Sequence, residues 1–303
     1  VSVSSLGRVA LLVNPTAGKG RGAAAGRAAA AQLRAAGVPV TELVGRDGPE
    51  AAELAVAAVT DGATTVVAVG GDGIVHLAVQ AVADSPAALG IVPAGSGNDI
   101  ARALGLPAAH TPDAAVATLL TGTARTLDAG RVGQHFYAGV LSSGFDSAVN
   151  GRANAMRWPR GPMRYNVAIL AELGVFTPKA FTVTVDGVAH QVEAMLVAVG
   201  NGSTYGGGMQ ICPAARMDDG VLDVTILGRI SKPAFVRVFP RVYKGTHVTH
   251  PAVQVLSGRQ VSLAADGVTA YADGEFVSEL PITIDVAPGA LRVLTPGAPP
   301  PGD

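Results

Sequence analysis

The sequence predicts two domains of different class, a doubly wound α/β domain followed by an antiparallel β-sandwich. Three observations carry this. Up to about residue 120, apolar strand-like runs alternate with helical runs, the grammar of a parallel sheet. In that half, glycine-rich loops stand at strand C-terminal ends, where such sheets bind ligands. Beyond it strand-like runs predominate, with turns at Asp186-Gly187, Asp219-Gly220, Asp266-Gly267 and Asp273-Gly274. We set the domains at 1–126 and 127–295, with a helical insertion at about 154–174 and a Pro/Gly-rich tail, 296–303.

The first half reads element by element. Arg8 to Val13 is a buried strand, followed by the polar loop Asn14 to Gly22. Ala23 to Ala36 is helical and stops at Gly37. Val38 to Val44 is a second strand, and Pro49 to Val59 a helix with proline in its first turn. Thr65 to Val69 is a third strand, Ile74 to Val82 a helix, and Leu89 to Val92 a fourth strand ending in Pro93 to Asp99. A short helix follows from Ile100 and another spans Asp113 to Leu120. Loops 14–22, 70–76 and 93–99 therefore converge on one sheet edge. In the second half, strands are expected at 125–132, 136–141, 180–185, 191–199, 222–227, 253–256, 260–264, 269–271, 275–277, 282–286 and 291–294.

Composition bounds the function. The 303 residues are 49% hydrophobic, enough for two cores. Net charge is −1, which argues against a general nucleic-acid binder. Cys212 is the only cysteine, so an intrachain disulfide or a cysteine zinc site is excluded and a reducing compartment fits. The longest uncharged stretch, Ala194 to Ala215, is broken by Asn, Gly, Ser and Pro and makes a poor membrane span. Val1 to Gly7 lacks the features of a signal peptide, so the cytoplasm is the expected compartment. His110, His135, His190, His247 and His250 share no metal-ligand spacing.

Val69-Gly70-Gly71-Asp72-Gly73-Ile74-Val75-His76 is the centre of the first domain. Glycine lets a ligand approach the backbone without meeting a Cβ. The N–H groups at the following helix start favour phosphate, and the aspartate can hold a metal ion or its water. A generic βα turn fits this stretch alone equally well. Gly18-Lys19 is not a P-loop, because Val13 and Gly20 stand where glycine and Ser/Thr are required. Gly20-Arg21-Gly22-Ala23-Ala24-Ala25 matches a loose dinucleotide fingerprint but lies too far beyond Val13 for the usual tight turn.

Five motifs taken together are specific: Asn14-Pro15-Thr16-Ala17-Gly18-Lys19, Gly70-Gly71-Asp72-Gly73, Pro93 to Arg102 with Gly95-Ser96-Gly97-Asn98-Asp99, Asp218-Asp219-Gly220-Val221-Leu222-Asp223, and Asp273-Gly274-Glu275. In this order the chain resembles the soluble diacylglycerol kinase catalytic-domain family of lipid kinases, which includes sphingosine and ceramide kinases. The resemblance implies a Rossmann-like N-terminal domain akin to NAD kinases, a β-sandwich domain, and an active site in the cleft between them. It also implies ATP and Mg²⁺ as cofactors and phosphoryl transfer to a lipid hydroxyl, diacylglycerol to phosphatidic acid first of all. Asn14, Pro15, Thr16, Ala17, Gly18 and Lys19, with Gly70, Gly71, Asp72, Gly73, Ile74, Val75 and His76, would meet the nucleotide, joined by Thr41, Ser96 and Asn98. Glu275 would be the general base, with Asp273 and Asp72 beside it in the catalytic set. Asp219 and the carbonyls of Arg216 and Val221 would hold Mg²⁺, and Asp128 and Asp72 would reach it through water. A sphingosine- or ceramide-type or other lipid kinase, an enzyme with a soluble acceptor as in NAD kinase, and a non-catalytic nucleotide or lipid binder are the alternatives.

Many relatives carry Thr and Asn where this chain has Ile74 and His76, so two side-chain donors are lost and the backbone donors remain. From Ser147 to Ala171 there are arginines and no interior acidic residue. Arg152, Arg157, Trp158, Arg160 and Arg164 form a pattern suited to an anionic membrane surface. A helix lip with solvated arginines fits it equally. The expected partners are thus ATP, a lipid with a free hydroxyl and, transiently, the inner face of the membrane; a homodimer is compatible with the sequence.

Overall fold

The computed structural model describes residues 6–109, 111–156, 167–168, 171–172 and 175–296. They form two compact units. The first takes the described residues up to Ala129, then Gly206–Gly208, then the chain from Ala287 onward; the second takes Gly130–Tyr205 and Met209–Val286.

The first unit alternates β1 (Val9–Val13), α1 (Ala17–Ala35), β2 (Val40–Leu43), α2 (Gly48–Thr60), β3 (Thr65–Gly70), α3 (Asp72–Val82) and β4 (Ala88–Pro93), followed by α4 (Asp99–Ala103), α5 (Pro112–Thr121) and the start of β5 (Thr123–Val132). β1 lies between β2 and β3, β4 lies beside β3, and all these pairs are parallel. Residues Arg292 and Val293 add a further parallel pairing on β4. β1, β3 and β4 are buried along their whole length, which explains their unbroken apolar runs. Ala29, Ala30 and Leu33 of α1 pack with Val116 and Leu119 of α5 in one cluster.

Small residues let the helices lie close to the sheet. A Cβ on Gly26 of α1 would come within 2.8 Å of the Val13 side chain, and one on Gly90 within 2.5 Å of Leu119. α2 starts where Asp47 accepts the Glu50 N–H at 2.9 Å, with Pro49 in the first turn. α1 starts earlier than its alanine run predicts. A turn at Ala17 is followed by left-handed Gly18, Lys19 and Gly20 before the helix resumes.

The second unit contains β6 (His135–Tyr137), β7 (Val140–Gly144), α6 (Phe145–Ala155), β8 (Lys179–Val185), β9 (Val188–Gly200), β10 (Leu222–Gly228), α7 (Lys232–Val238), 3-10 turns at Phe239–Lys244 and Thr246–Thr249, β11 (Val253–Gly258), β12 (Gln260–Ala264), β13 (Thr269–Ala272), β14 (Glu275–Glu279) and β15 (Ile282–Thr295), which continues into the first unit. Every recorded pairing within it is antiparallel. The long β9 is its spine: residues 188–194 pair with β8, while 196–200 pair with β7 and β10. Leu141, Phe181, Val197, Val224, Leu263 and Ile284 close the sandwich core.

The sandwich and the α/β unit are thus the predicted fold class. Besides the early start of α1, further details differ. The strand expected at 136–141 splits into β6 and β7, because Ala138 and Gly139 turn to give their N–H groups to a side chain described below. The strands expected at 282–286 and 291–294 are one, β15, with left-handed Gly289 inside it. The insertion's helix begins at Phe145, earlier than 154. Arg157, Trp158, Arg160, Arg164, His110 and most of the expected tail lie outside the described residues. No helix among the described residues is long and apolar enough to cross a membrane.

Candidate active site

In the first unit, three loops interlock at the carboxyl ends of β1, β3 and β4. The Asn14 N–H donates to Val69 O at 3.0 Å. The Asn14 Oδ1 accepts from the Thr16 N–H at 3.0 Å and the Thr16 hydroxyl at 2.8 Å, which folds the Asn-Pro-Thr turn on itself. The loop passes so close to its neighbour that a Cβ on Gly18 would lie 2.0 Å from Ala94 O. Arg21 joins the two, donating from Nε to Gly18 O at 3.0 Å and from its guanidinium to Gly95 O at 3.2 Å. Nothing in the local pattern marked Arg21, whose bonding partners are brought together only by the fold.

The glycines of the second and third loops touch backbone to backbone. A Cβ on Gly95 would stand 2.4 Å from the Gly71 Cα. Gly70 O accepts from the N–H groups of Ala94 (2.7 Å) and Gly95 (3.0 Å). Asp72 accepts the Ile100 N–H at 3.2 Å, and its other carboxylate oxygen fills the space a Gly97 side chain would need. Asn98, left-handed at φ 56°, bonds both N–H and O of Gly95 at 3.0 Å. Its side chain therefore shapes the loop. Ser96 is exposed at the tip.

At the start of α3 the first N–H groups have no intrahelical acceptor, and the helix dipole adds partial positive charge there. Ile74, Val75 and His76 turn their side chains inward, each under a tenth exposed. A methyl group of Ile74 packs where a Gly70 Cβ would stand, and His76 lies against Gln80. With these side chains turned inward, the backbone is what positions 74–76 present at the loop. Lys19 is exposed and left-handed. Thr41 is exposed in β2 opposite Ala10, short of the strand's carboxyl end.

Asp99, under a tenth exposed, binds Arg102 at 2.6 Å and the N–H groups of Gly207 and Gly208, both at 2.6 Å. Arg102 also donates to Gly97 O at 2.9 Å. The run Gly206-Gly207-Gly208 is the sequence signal for this backbone approach, and it lies outside the five motifs. Asp128, buried in β5, accepts the Gly289 N–H at 2.8 Å.

The remaining predicted residues sit in the second unit. Asp273 occupies the left-handed first position of the β13–β14 turn, φ 52°, ahead of Gly274 at 92°. Its carboxylate accepts three backbone N–H groups, from Ala138 at 3.0 Å, Gly139 at 2.9 Å and Val140 at 3.2 Å. Asn201 binds the same bend, donating from Nδ2 to Ala138 O at 2.9 Å and from its own N–H to Gly139 O at 2.9 Å. Tyr137 bonds Val199 O at 3.2 Å beneath it, and burial pushes its phenol well above its usual range. Glu275, exposed, opens β14 opposite Ala272.

Asp219 forms its own turn, accepting the Val221 N–H at 3.2 Å, and Arg216 pairs with Asp218 at 3.3 Å. Burial, and then the charge of Asp219, raise the Asp223 carboxyl above its usual value. Among the described residues no group of three or more His, Cys, Asp or Glu side chains could hold a metal. The expected set of one carboxylate and two carbonyls is a hard-oxygen set that suits a largely hydrated Mg²⁺. Arg152 is ion-paired with buried Glu172.

Known proteins share both the sequence and the fold. Residues 8–132 match the diacylglycerol kinase catalytic domain, and residues 139–295 the YegS C-terminal NAD kinase beta sandwich-like domain. The chain is 42% identical over 297 residues to a diacylglycerol kinase of Mycobacterium tuberculosis, covering 96% of each. The crystal structure of a diacylglycerol kinase from Bacillus anthracis superposes with a TM-score of 0.78 at 22% identity, over 96% of this chain and 98% of that one. The NAD kinase of Archaeoglobus fulgidus, solved in complex with ATP, shares the fold at a TM-score of 0.55 and 14% identity, over 94% and 92%. With its motifs in order, both domains matched and a relative at this identity along nearly its whole length, the chain belongs to the diacylglycerol kinase catalytic-domain family of lipid kinases.

Proposed function

We propose that this protein transfers the γ-phosphoryl group of ATP to the hydroxyl of diacylglycerol, giving phosphatidic acid. Support comes above all from the interlocked loops at β1, β3 and β4, which gather glycine backbone and the N-terminus of α3 at one end of the parallel sheet. Phosphoryl transfer asks for positioning and charge neutralisation more than covalent help. In this reading Asn14 to Lys19, Gly70 to His76 and Ser96 receive the polyphosphate, chiefly through backbone N–H groups. Asn98, Arg21 and Asp72 hold those loops in register.

Glu275 takes the proton of the acceptor hydroxyl as its oxygen attacks the γ-phosphorus; the bond from that phosphorus to the β–γ bridging oxygen breaks and ADP leaves. Asp273 is a positioning residue, since its carboxylate is occupied by the bend 138–140. Asp219, with the carbonyls of Arg216 and Val221, would hold Mg²⁺, and Asp72 and Asp128 would meet its waters. When bound, the ion neutralises phosphate charge and organises nearby carboxylates. The reaction takes place transiently at the cytoplasmic face of an anionic membrane.

The test is radiolabelled ATP with diacylglycerol, a sphingoid base, ceramide and NAD as acceptors, the lipids in mixed micelles. Wild type should label diacylglycerol, and Glu275→Ala should lose nearly all turnover while keeping its fold. Labelling of NAD alone, or ATP binding without transfer to any lipid, would replace this reading with one of its alternatives.

A further inference from the structure

The segment from Val224 to Ala265 contains Arg229, Lys232, Arg237, Arg241, Lys244 and Arg259 and not one Asp or Glu. In a chain of net charge −1 this is a local concentration of positive charge. Its centre is α7 and the 3-10 turn that continues it. The inner side of this element is aromatic and packed. Phe235 packs edge-on against Phe145 of α6 at 5.1 Å and stacks on Phe239 at 5.8 Å, while Val238 and Val242 are buried. Gln210 donates its N–H to Val242 O at 3.0 Å, and left-handed Gly245 sits against Pro213.

The outer side recurs at spacings of three and four: Pro233, Val236, Arg237, Pro240, Arg241, Lys244, all exposed. Val236 is 57% exposed and Tyr243 50%, two large apolar side chains set among cations. Among the described residues no carboxylate forms an ion pair with Arg237, Arg241 or Lys244. Arg229, by contrast, is paired with Glu193 at 3.0 Å.

We propose that the outer side of 233–244 is the surface by which this kinase rests on an anionic phospholipid bilayer. Arg237, Arg241 and Lys244 meet headgroup phosphates, and Val236 and Tyr243 enter the boundary below them. The pattern is that of an interfacial element, cations with apolar side chains between them on a packed aromatic base. A nucleic-acid surface would not call for an exposed valine and two exposed prolines among its cations. The inference rests on the acceptor being a lipid, which must be met where lipids are. It places the contact on an element distinct from the arginine-rich stretch 152–164.

The experiment is cosedimentation of the full chain, without ATP, on vesicles of equal parts phosphatidylglycerol and phosphatidylcholine, and on phosphatidylcholine alone. Each basic side chain at an anionic surface is worth about a fivefold gain in partition. Arg237→Gln/Arg241→Gln/Lys244→Gln should therefore partition roughly a hundredfold more weakly on the anionic vesicles. Its turnover of a short-chain, water-soluble diacylglycerol should stay unchanged. Arg237→Lys/Arg241→Lys/Lys244→Arg should bind like wild type. Glu275→Ala should bind vesicles normally, so failure of the assigned base and failure of this surface read out separately. Wild-type partition by the triple glutamine variant would overturn the proposal. So would loss of binding only in Arg157→Gln/Arg160→Gln/Arg164→Gln, equal loss on phosphatidylcholine alone, a parallel loss of soluble-acceptor turnover, or retention of duplex RNA in place of vesicles.

Discussion

Gly95→Ala is the sharpest probe of the interlocked loops. Gly95 is not in the left-handed region, so alanine suits its backbone and the effect is steric. The new Cβ would stand 2.4 Å from the Gly71 Cα, 3.0 Å from the Gly71 N and 2.9 Å from the Asn98 Oδ1, where ordinary contact begins at 3.4 Å. Two of these neighbours are backbone and cannot rotate away, so the second and third loops must part by about 1 Å. Overpacking of this kind costs about 1–3 kcal/mol of stability. A displacement of that size in a positioning loop costs on the order of a hundredfold in rate. Thermal melting and steady-state kinetics should show a lowered Tm, a raised KM for ATP and a large loss in kcat/KM. Gly48→Ala is the matched control: its Cβ would find only Leu77, at 4.0 Å, and it begins a helix. It should leave activity unchanged. Wild-type kinetics and Tm in Gly95→Ala would refute the claim that backbone contact between these loops shapes the site.

Asp273→Asn keeps one oxygen acceptor and places an amide against the N–H groups of 138–140. It should lower kcat about ten- to a hundredfold with the KM for ATP unchanged, since positioning of Glu275 is lost and the nucleotide loops are untouched; a raised KM with normal kcat would contradict the role. Asp219→Asn should raise the Mg²⁺ concentration needed for half-maximal activity by about tenfold or more, read from a metal titration. Burial raises the Cys212 thiol from its usual 9 to about 12, so a thiol reagent at neutral pH should label it only after unfolding. The unfolded thiol releases its proton first, so this contribution to stability is present below pH 9 and is lost as pH rises toward 12, which denaturation across that window would detect.

The α/β half was legible because its elements announce themselves locally. Buried parallel strands require continuous apolar runs, and Val9–Val13 and Thr65–Gly70 have them. The loops are legible as loops because glycine clusters at three strand ends; their phosphate role comes from the five motifs taken together, not from the glycines alone. What the sequence concealed is who holds what. Arg21 reaches Gly95 and Asp99 reaches Gly207 and Gly208 across separations that no periodicity reports. Asp273 reads as a turn residue in a catalytic motif, yet its carboxylate is spent on a bend far earlier in the chain. β15 is one strand where two are expected because Pro288-Gly289 has the composition of a turn, while left-handed Gly289 lets the strand pass through it.

The pairing of Arg292 and Val293 with β4, and of Gly289 with Asp128, has a consequence for the order of events in synthesis. The first unit takes residues from three separated parts of the chain. A ribosome that has reached residue 130 has made most of the parallel sheet, but β4 still lacks its second neighbour. Asp99 waits for two N–H groups that are not yet synthesised. This half of the molecule cannot be finished before the other half has been made. Nor can it be lifted out as a module, because cutting the chain before residue 287 would leave an open sheet edge and a buried carboxylate without its backbone donor.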